Sequence, residues 1–64
     1  MEVEVTIEHE GTPYTATYLV VGDELIVYLP NGEPRATVLR GLNPESAARQ
    51  HLRSYIRSVT QHKQ

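Results

Sequence analysis

The amino-acid sequence predicts an α+β domain, in which a four-stranded antiparallel β-meander is followed by one C-terminal amphipathic helix packed on one sheet face (ββββα, two layers). Three observations predict it. Val3, Val5 and Ile7 alternate with Glu2, Glu4, Thr6 and Glu8, the period of two expected of a half-buried strand. Turn signals at Gly11-Thr12-Pro13, Gly22-Asp23 and Pro30-Asn31-Gly32-Glu33-Pro34 then divide the chain up to Arg40 into strand-length pieces. Beyond Asn43 the apolar spacing changes to that of a helix.

The first strand ends at Gly11-Thr12-Pro13. Proline cannot donate to a ladder, so a four-residue loop ending at Pro13 is preferred over a two-residue one. Tyr14 to Val21, rich in Tyr, Thr and Val, forms the second strand, and Gly22-Asp23 suits a two-residue type II′ hairpin into the third, Glu24 to Leu29. Asn31-Gly32, read as another two-residue turn, leads to a fourth strand, Arg35 to Arg40. This register sets Val20 opposite Leu25, Tyr18 opposite Val27, Val27 opposite Ala36, Leu25 opposite Val38, Ile26 opposite Thr37 and Tyr28 opposite Arg35.

For the helix, Asn43 is a good N-cap, Pro44 suits the first helical position, Glu45 complements the dipole, and Leu42 and Ala47 suit a hydrophobic staple. Ala48, Leu52, Tyr55, Ile56 and Val59 fall on one stripe of a helix running from about Pro44 to Thr60. Together these elements predict a core of Val3, Val5, Ile7, Ala16, Tyr18, Val20, Leu25, Val27, Leu29, Val38, Leu52, Ile56 and Val59. Residues 1–64 form a single small domain in this reading, with 61–64 expected to fray at its end.

Composition bounds the function. A 64-residue chain buries only about 60% of the surface its unfolded form exposes. With no cysteine, neither disulfides nor thiolate metal sites can supplement so thin a core, which favours association with another chain. The net charge of -2 conceals an asymmetry. Residues 1–32 carry Glu2, Glu4, Glu8, Glu10, Asp23 and Glu24 with no Lys or Arg, whereas residues 33–64 carry Arg35, Arg40, Arg49, Arg53, Arg57 and Lys63 against Glu33 and Glu45. Such a chain is suited to pairing with itself or with a charged partner. No apolar run has the roughly 20 residues that span a bilayer, and a cytoplasmic protein is expected.

The inventory of reactive groups does not suggest an enzyme, and no cofactor or metal is expected. His51 and His62 stand 11 positions apart, about 16 Å along a helix, too far to share one ion. His9 has Glu10 as its only obvious neighbour, and all three histidines are read as solvated surface residues. The glycines occur singly in turns, without phosphate-loop spacing. Only a pocket joining His9 to a helix residue would reopen the question of catalysis.

Two features remain. The predicted outer sheet face carries Leu19, Val21, Ile26, Tyr28 and Leu39, beside Thr15, Thr17 and Thr37 and the acids Glu2, Glu4, Glu8 and Glu24 with Arg35. One helix cannot cover both faces, so the apolar group reads as a protein-interaction surface. The plainer reading is scattered exposed aliphatics that suit a strand. The second feature is Arg49, Arg53 and Arg57, spaced by four along one helix strip, where like charges repel by a few tenths of a kcal/mol per pair. A solvated polar face is the plainer account, and contact with an anion or an acidic partner the sharper one. The leading expectation is a non-catalytic module that self-associates or binds an unidentified protein through the outer sheet face. The alternative is a nucleic-acid-binding accessory domain using the arginine strip, disfavoured because three arginines on a net acidic domain give little phosphate affinity.

Overall fold

The computed structural model describes residues 2–61, and within them the predicted ββββα fold is present: β1 (Val3–His9), β2 (Thr12–Val21), β3 (Glu24–Tyr28), β4 (Pro34–Val38) and α1 (Pro44–Thr60). The strands form one open antiparallel sheet in the order β1-β2-β3-β4. Its inner face is covered by α1, which packs on β1, β2 and β3.

The first hairpin is tighter than the sequence suggests. Its loop is Glu10-Gly11 alone, with His9 opposite Thr12, and both loop residues lie in the left-handed region (φ 52° and 82°), as a type I′ turn requires. Pro13 therefore belongs to β2, opposite Glu8. Pairs flanking a two-residue loop exchange hydrogen bonds and the next pair does not, so the Pro13 nitrogen points away from β1. On that side β3 is already finished, since its pairing stops at Thr17↔Tyr28. No ladder bond is lost, which is why the proline is tolerated.

The second hairpin is as expected: only Gly22 has positive φ, the type II′ pattern, and Val20↔Leu25 and Tyr18↔Val27 are in register. The third is displaced by one residue. Its turn is centred on Pro30-Asn31 rather than Asn31-Gly32, with the Gly32 N–H donating to the Leu29 carbonyl at 2.7 Å and the Leu29 N–H to the Glu33 carbonyl at 2.9 Å. Pro30, with φ fixed near −65°, suits the first central position of a type I turn, and Gly32 (φ 88°) supplies the left-handed residue that follows it. The Asn31 carboxamide oxygen accepts from the Glu33 N–H at 3.0 Å. The resulting three-residue loop sets Leu25 opposite Thr37, Ile26 opposite Ala36 and Val27 opposite Arg35.

A shift of one residue turns a strand over. Val38, expected in the core, faces out and is 55% exposed, whereas Leu39, expected on the outer face, is buried at 5%. Arg35 and Thr37 move with Leu39 to the helix side. The core is Val5, Ala16, Tyr18, Leu25, Val27, Leu29, Leu39, Ala47, Ala48, Leu52 and Ile56, with Ile7, Tyr14 and Tyr55 packed against it. Val3, Val20 and Val59, also expected inside, are exposed. Val3 and Val20 sit toward the end of the sheet opposite the Ile7–Tyr14 pair. At that latter end Tyr55 packs edge-on against Tyr14, with ring centroids 6.4 Å apart.

The link from β4 to α1 is tied to the second hairpin. The Leu39 and Arg40 N–H groups donate to the Asp23 carbonyl (2.8 Å) and carboxylate (3.3 Å), and Arg40-Gly41, both at positive φ, reverse the chain with Leu42 N–H donating to the Leu39 carbonyl. Asn43 caps the helix, its side chain accepting from the Ser46 N–H at 3.0 Å. Leu42 is 61% exposed, so the expected staple with Ala47 does not bury it. Of the segment expected to fray, Gln61 is the C-cap, its N–H bonded to the Arg57 carbonyl, and 62–64 lie outside the described residues.

Candidate functional site

On strands β2 to β4 the outer face alternates with the core, and its side chains follow from the register. Leu19 pairs with Ile26, Ile26 with Ala36, Val21 with Glu24, and Glu24 with Val38. The corrected register replaces Leu39 by Val38 in the expected interaction surface, so the patch comprises Leu19, Val21, Ile26, Tyr28, Ala36 and Val38. Val21, Tyr28 and Val38 are exposed, and Leu19 and Ile26 are half-buried among them. Toward β1 the same face becomes polar: Glu4, Thr6 and Glu8 lie beside Thr15 and Thr17, with the Thr6 and Thr15 hydroxyls hydrogen-bonded at 2.9 Å. Arg35, expected here, is instead on the helix side, with its Nε 3.8 Å from the Glu33 carboxylate. Among the described residues, Glu24 is the only charged side chain within the apolar part.

The arginine strip divides into two parts. Arg49 is committed within the domain: its guanidinium meets the Glu45 carboxylate at 3.0 and 3.1 Å and reaches the Thr6 carbonyl on β1 at 3.5 Å. Arg53 and Arg57, one and two turns further on, have no carboxylate partner among the described residues. They line a groove of about 300 Å³ between β1 and the end of α1, with Ile7, His9, Ile56, Thr60 and Gln61 completing its walls. His9 is thus brought to a helix after all. The groove offers no nucleophile held by a base: the Thr60 hydroxyl donates to the Ile56 carbonyl at 2.7 Å, and the nearest carboxylate to His9 is exposed Glu10, 3.9 Å from its Nε2.

Comparison with protein-family models, curated proteins and solved structures gave no match.

His51 departs from the expected solvated histidine. It is half-buried between α1 and β4, and its Nε2 lies 2.6 Å from the Thr37 hydroxyl, a contact that exists because the one-residue shift turned Thr37 inward. Burial, and secondly the Arg35 guanidinium, lower its pKa from 6.5. His62 lies outside the described residues. Among those described, no three His, Asp or Glu side chains are grouped to hold a metal ion, and no helix is long and apolar enough to cross a membrane.

Proposed function

We propose that this protein is a small self-associating module whose contact surface is the outer sheet face around Leu19, Ile26, Tyr28 and Val38. The observation that carries the reading is the uncovered apolar face opposite α1. An antiparallel sheet with one wet face is normally polar there, and a contiguous apolar group on it favours a partner.

A second copy is the occupant that best suits this face. Among the described residues Leu25, Leu52 and Val27 are the largest side chains wholly removed from solvent, so joining two outer faces would add area to a small core. A two-fold contact presents the same patch from both sides and needs no charged counterpart, which agrees with an apolar centre that lacks cations. With the axis along the strands and centred on β3, the acids of β1 fall beyond the partner's β4 edge and stay in water, and the acid that meets its own copy is Glu24, at the first position of β3 and so at the end of the contact. The other two-fold arrangement, with the axis across the strands, would stack Glu4 and Glu8 against their copies.

Size-exclusion chromatography with light scattering over a range of concentrations tests this. The expected outcome is a mass that rises from one chain to two, and a return to one chain in Ile26→Glu. Val38→Lys, at an exposed position opposite Glu24, provides a variant whose monomer fold is retained.

A further inference from the structure

We propose that the groove between β1 and the last two turns of α1 binds a small organic phosphate, with Arg53 and Arg57 holding the phosphate and Ile7 and Ile56 accepting its apolar part. The arginines of one helix strip differ in what holds them. Arg49 is neutralised by Glu45, but Arg53 and Arg57, which follow at the same spacing, have no carboxylate partner among the described residues. On this strip the two arginines without a carboxylate are the ones that line the cavity. Adjacent like charges one helical turn apart repel each other, and an anion between them turns that repulsion into attraction. Two guanidinium forks match the several oxygens of a phosphate group better than a single carboxylate, and guanidinium–oxyanion contacts are among the strongest hydrogen bonds available to a side chain.

The remaining walls suit the same class. His9 supplies a ring N–H from β1, across from the arginines, and Gln61 adds a carboxamide. The buried Ile56 and half-buried Ile7 give an apolar floor, and a volume of about 300 Å³ suits a compact ligand. Two features oppose an anion. The helix C-terminus carries negative partial charge, and of its last four carbonyls the Arg57 carbonyl already accepts, from the Gln61 N–H. Glu10 is near His9, but it is exposed and stands at the rim. The groove is on the helix side of the sheet, so it is independent of the outer face.

NMR titration of the full chain with phenyl phosphate, inorganic phosphate, benzoate and a single-stranded oligonucleotide tests the assignment. Phenyl phosphate is expected to give saturable shifts at the Arg53 and Arg57 side chains and at His9. Its affinity should exceed that of inorganic phosphate and of benzoate by about tenfold, a difference near 1.4 kcal/mol. Arg53→Gln and Arg57→Gln should each abolish saturation, whereas Arg49→Gln and Val38→Lys should retain it. Equal binding of phenyl phosphate and inorganic phosphate, persistence of the shifts in the Arg53→Gln/Arg57→Gln double variant, or no saturable shift at millimolar ligand would overturn the proposal. So would preferential binding of the oligonucleotide with shifts spread over Arg49, Arg53 and Arg57 alike, since that pattern belongs to a polyanion tracked by the whole strip.

Discussion

Val38 and Leu39 are adjacent in the chain and occupy opposite environments, 55% and 5% exposed. Truncating Leu39 to alanine removes buried methyl groups and leaves a cavity, and should cost about 2–5 kcal/mol in urea unfolding. Val38→Ala, measured in dilute solution, should stay within about 0.5 kcal/mol of the parent. The reverse order would mean that β4 is in the register that a two-residue Asn31-Gly32 turn sets. His51 depends on the same register. Its lowered pKa means that the native state keeps the ring neutral under conditions where the unfolded chain takes up a proton. Protonation of the ring has no effect on stability well above the ordinary value of 6.5; below it, stability should fall with pH until the native pKa is passed. Urea midpoints at neutral and mildly acid pH should therefore drop more in the parent than in His51→Gln, and parallel profiles would contradict the assignment. Neither residue's environment was legible in the sequence. Alternation places each side chain relative to its neighbours, but only loop length decides which half of β4 faces the helix.

At the scale of elements, what is local was legible and what depends on competing turns was not. The helix spans Pro44–Thr60 as its caps and spacing predict, because an Asn, a Pro and a Glu at its start act within one turn and need no tertiary context. Asn43→Ala should accordingly lower stability by about 1 kcal/mol, read from thermal or urea unfolding, and Asn43→Ser should restore most of it. The hairpins are different. Asn31-Gly32 is a strong signal for a two-residue turn, yet Pro30 beside it equally suits the start of a type I turn, and the geometry with Pro30 at that corner prevails. In the first hairpin Glu10 is held at φ 52°, a conformation that side chains other than Asn, Asp and Gly seldom adopt. Glu10→Asn should therefore stabilise the domain by up to about 1 kcal/mol, since the preferred Asn-Gly pair then fills a type I′ turn. An unchanged or lowered melting temperature would argue against that turn.

For the whole molecule, the two layers leave one sheet face and two sheet edges without a partner. The β1 edge is guarded by its own acids and by Arg49 over the Thr6 carbonyl, and the short β4 begins with a proline, both devices that discourage strand-to-strand addition. The face is unguarded across β2 to β4. That an outer face existed, and that Leu19, Val21, Ile26 and Tyr28 lay on it, was legible from alternation alone. The exchange of Leu39 for Val38 and the pairing of His9 with the arginine strip were not, because each depends on how separate elements pack. The central claim is that this face joins two copies of the chain, and sedimentation equilibrium of the parent beside Ile26→Glu and Val38→Lys tests it most directly. The account predicts a monomer–dimer equilibrium for the parent and monomers of unchanged fold for both variants. A parent chain that remains monomeric at millimolar concentration, or a dimer that survives both substitutions, would contradict it.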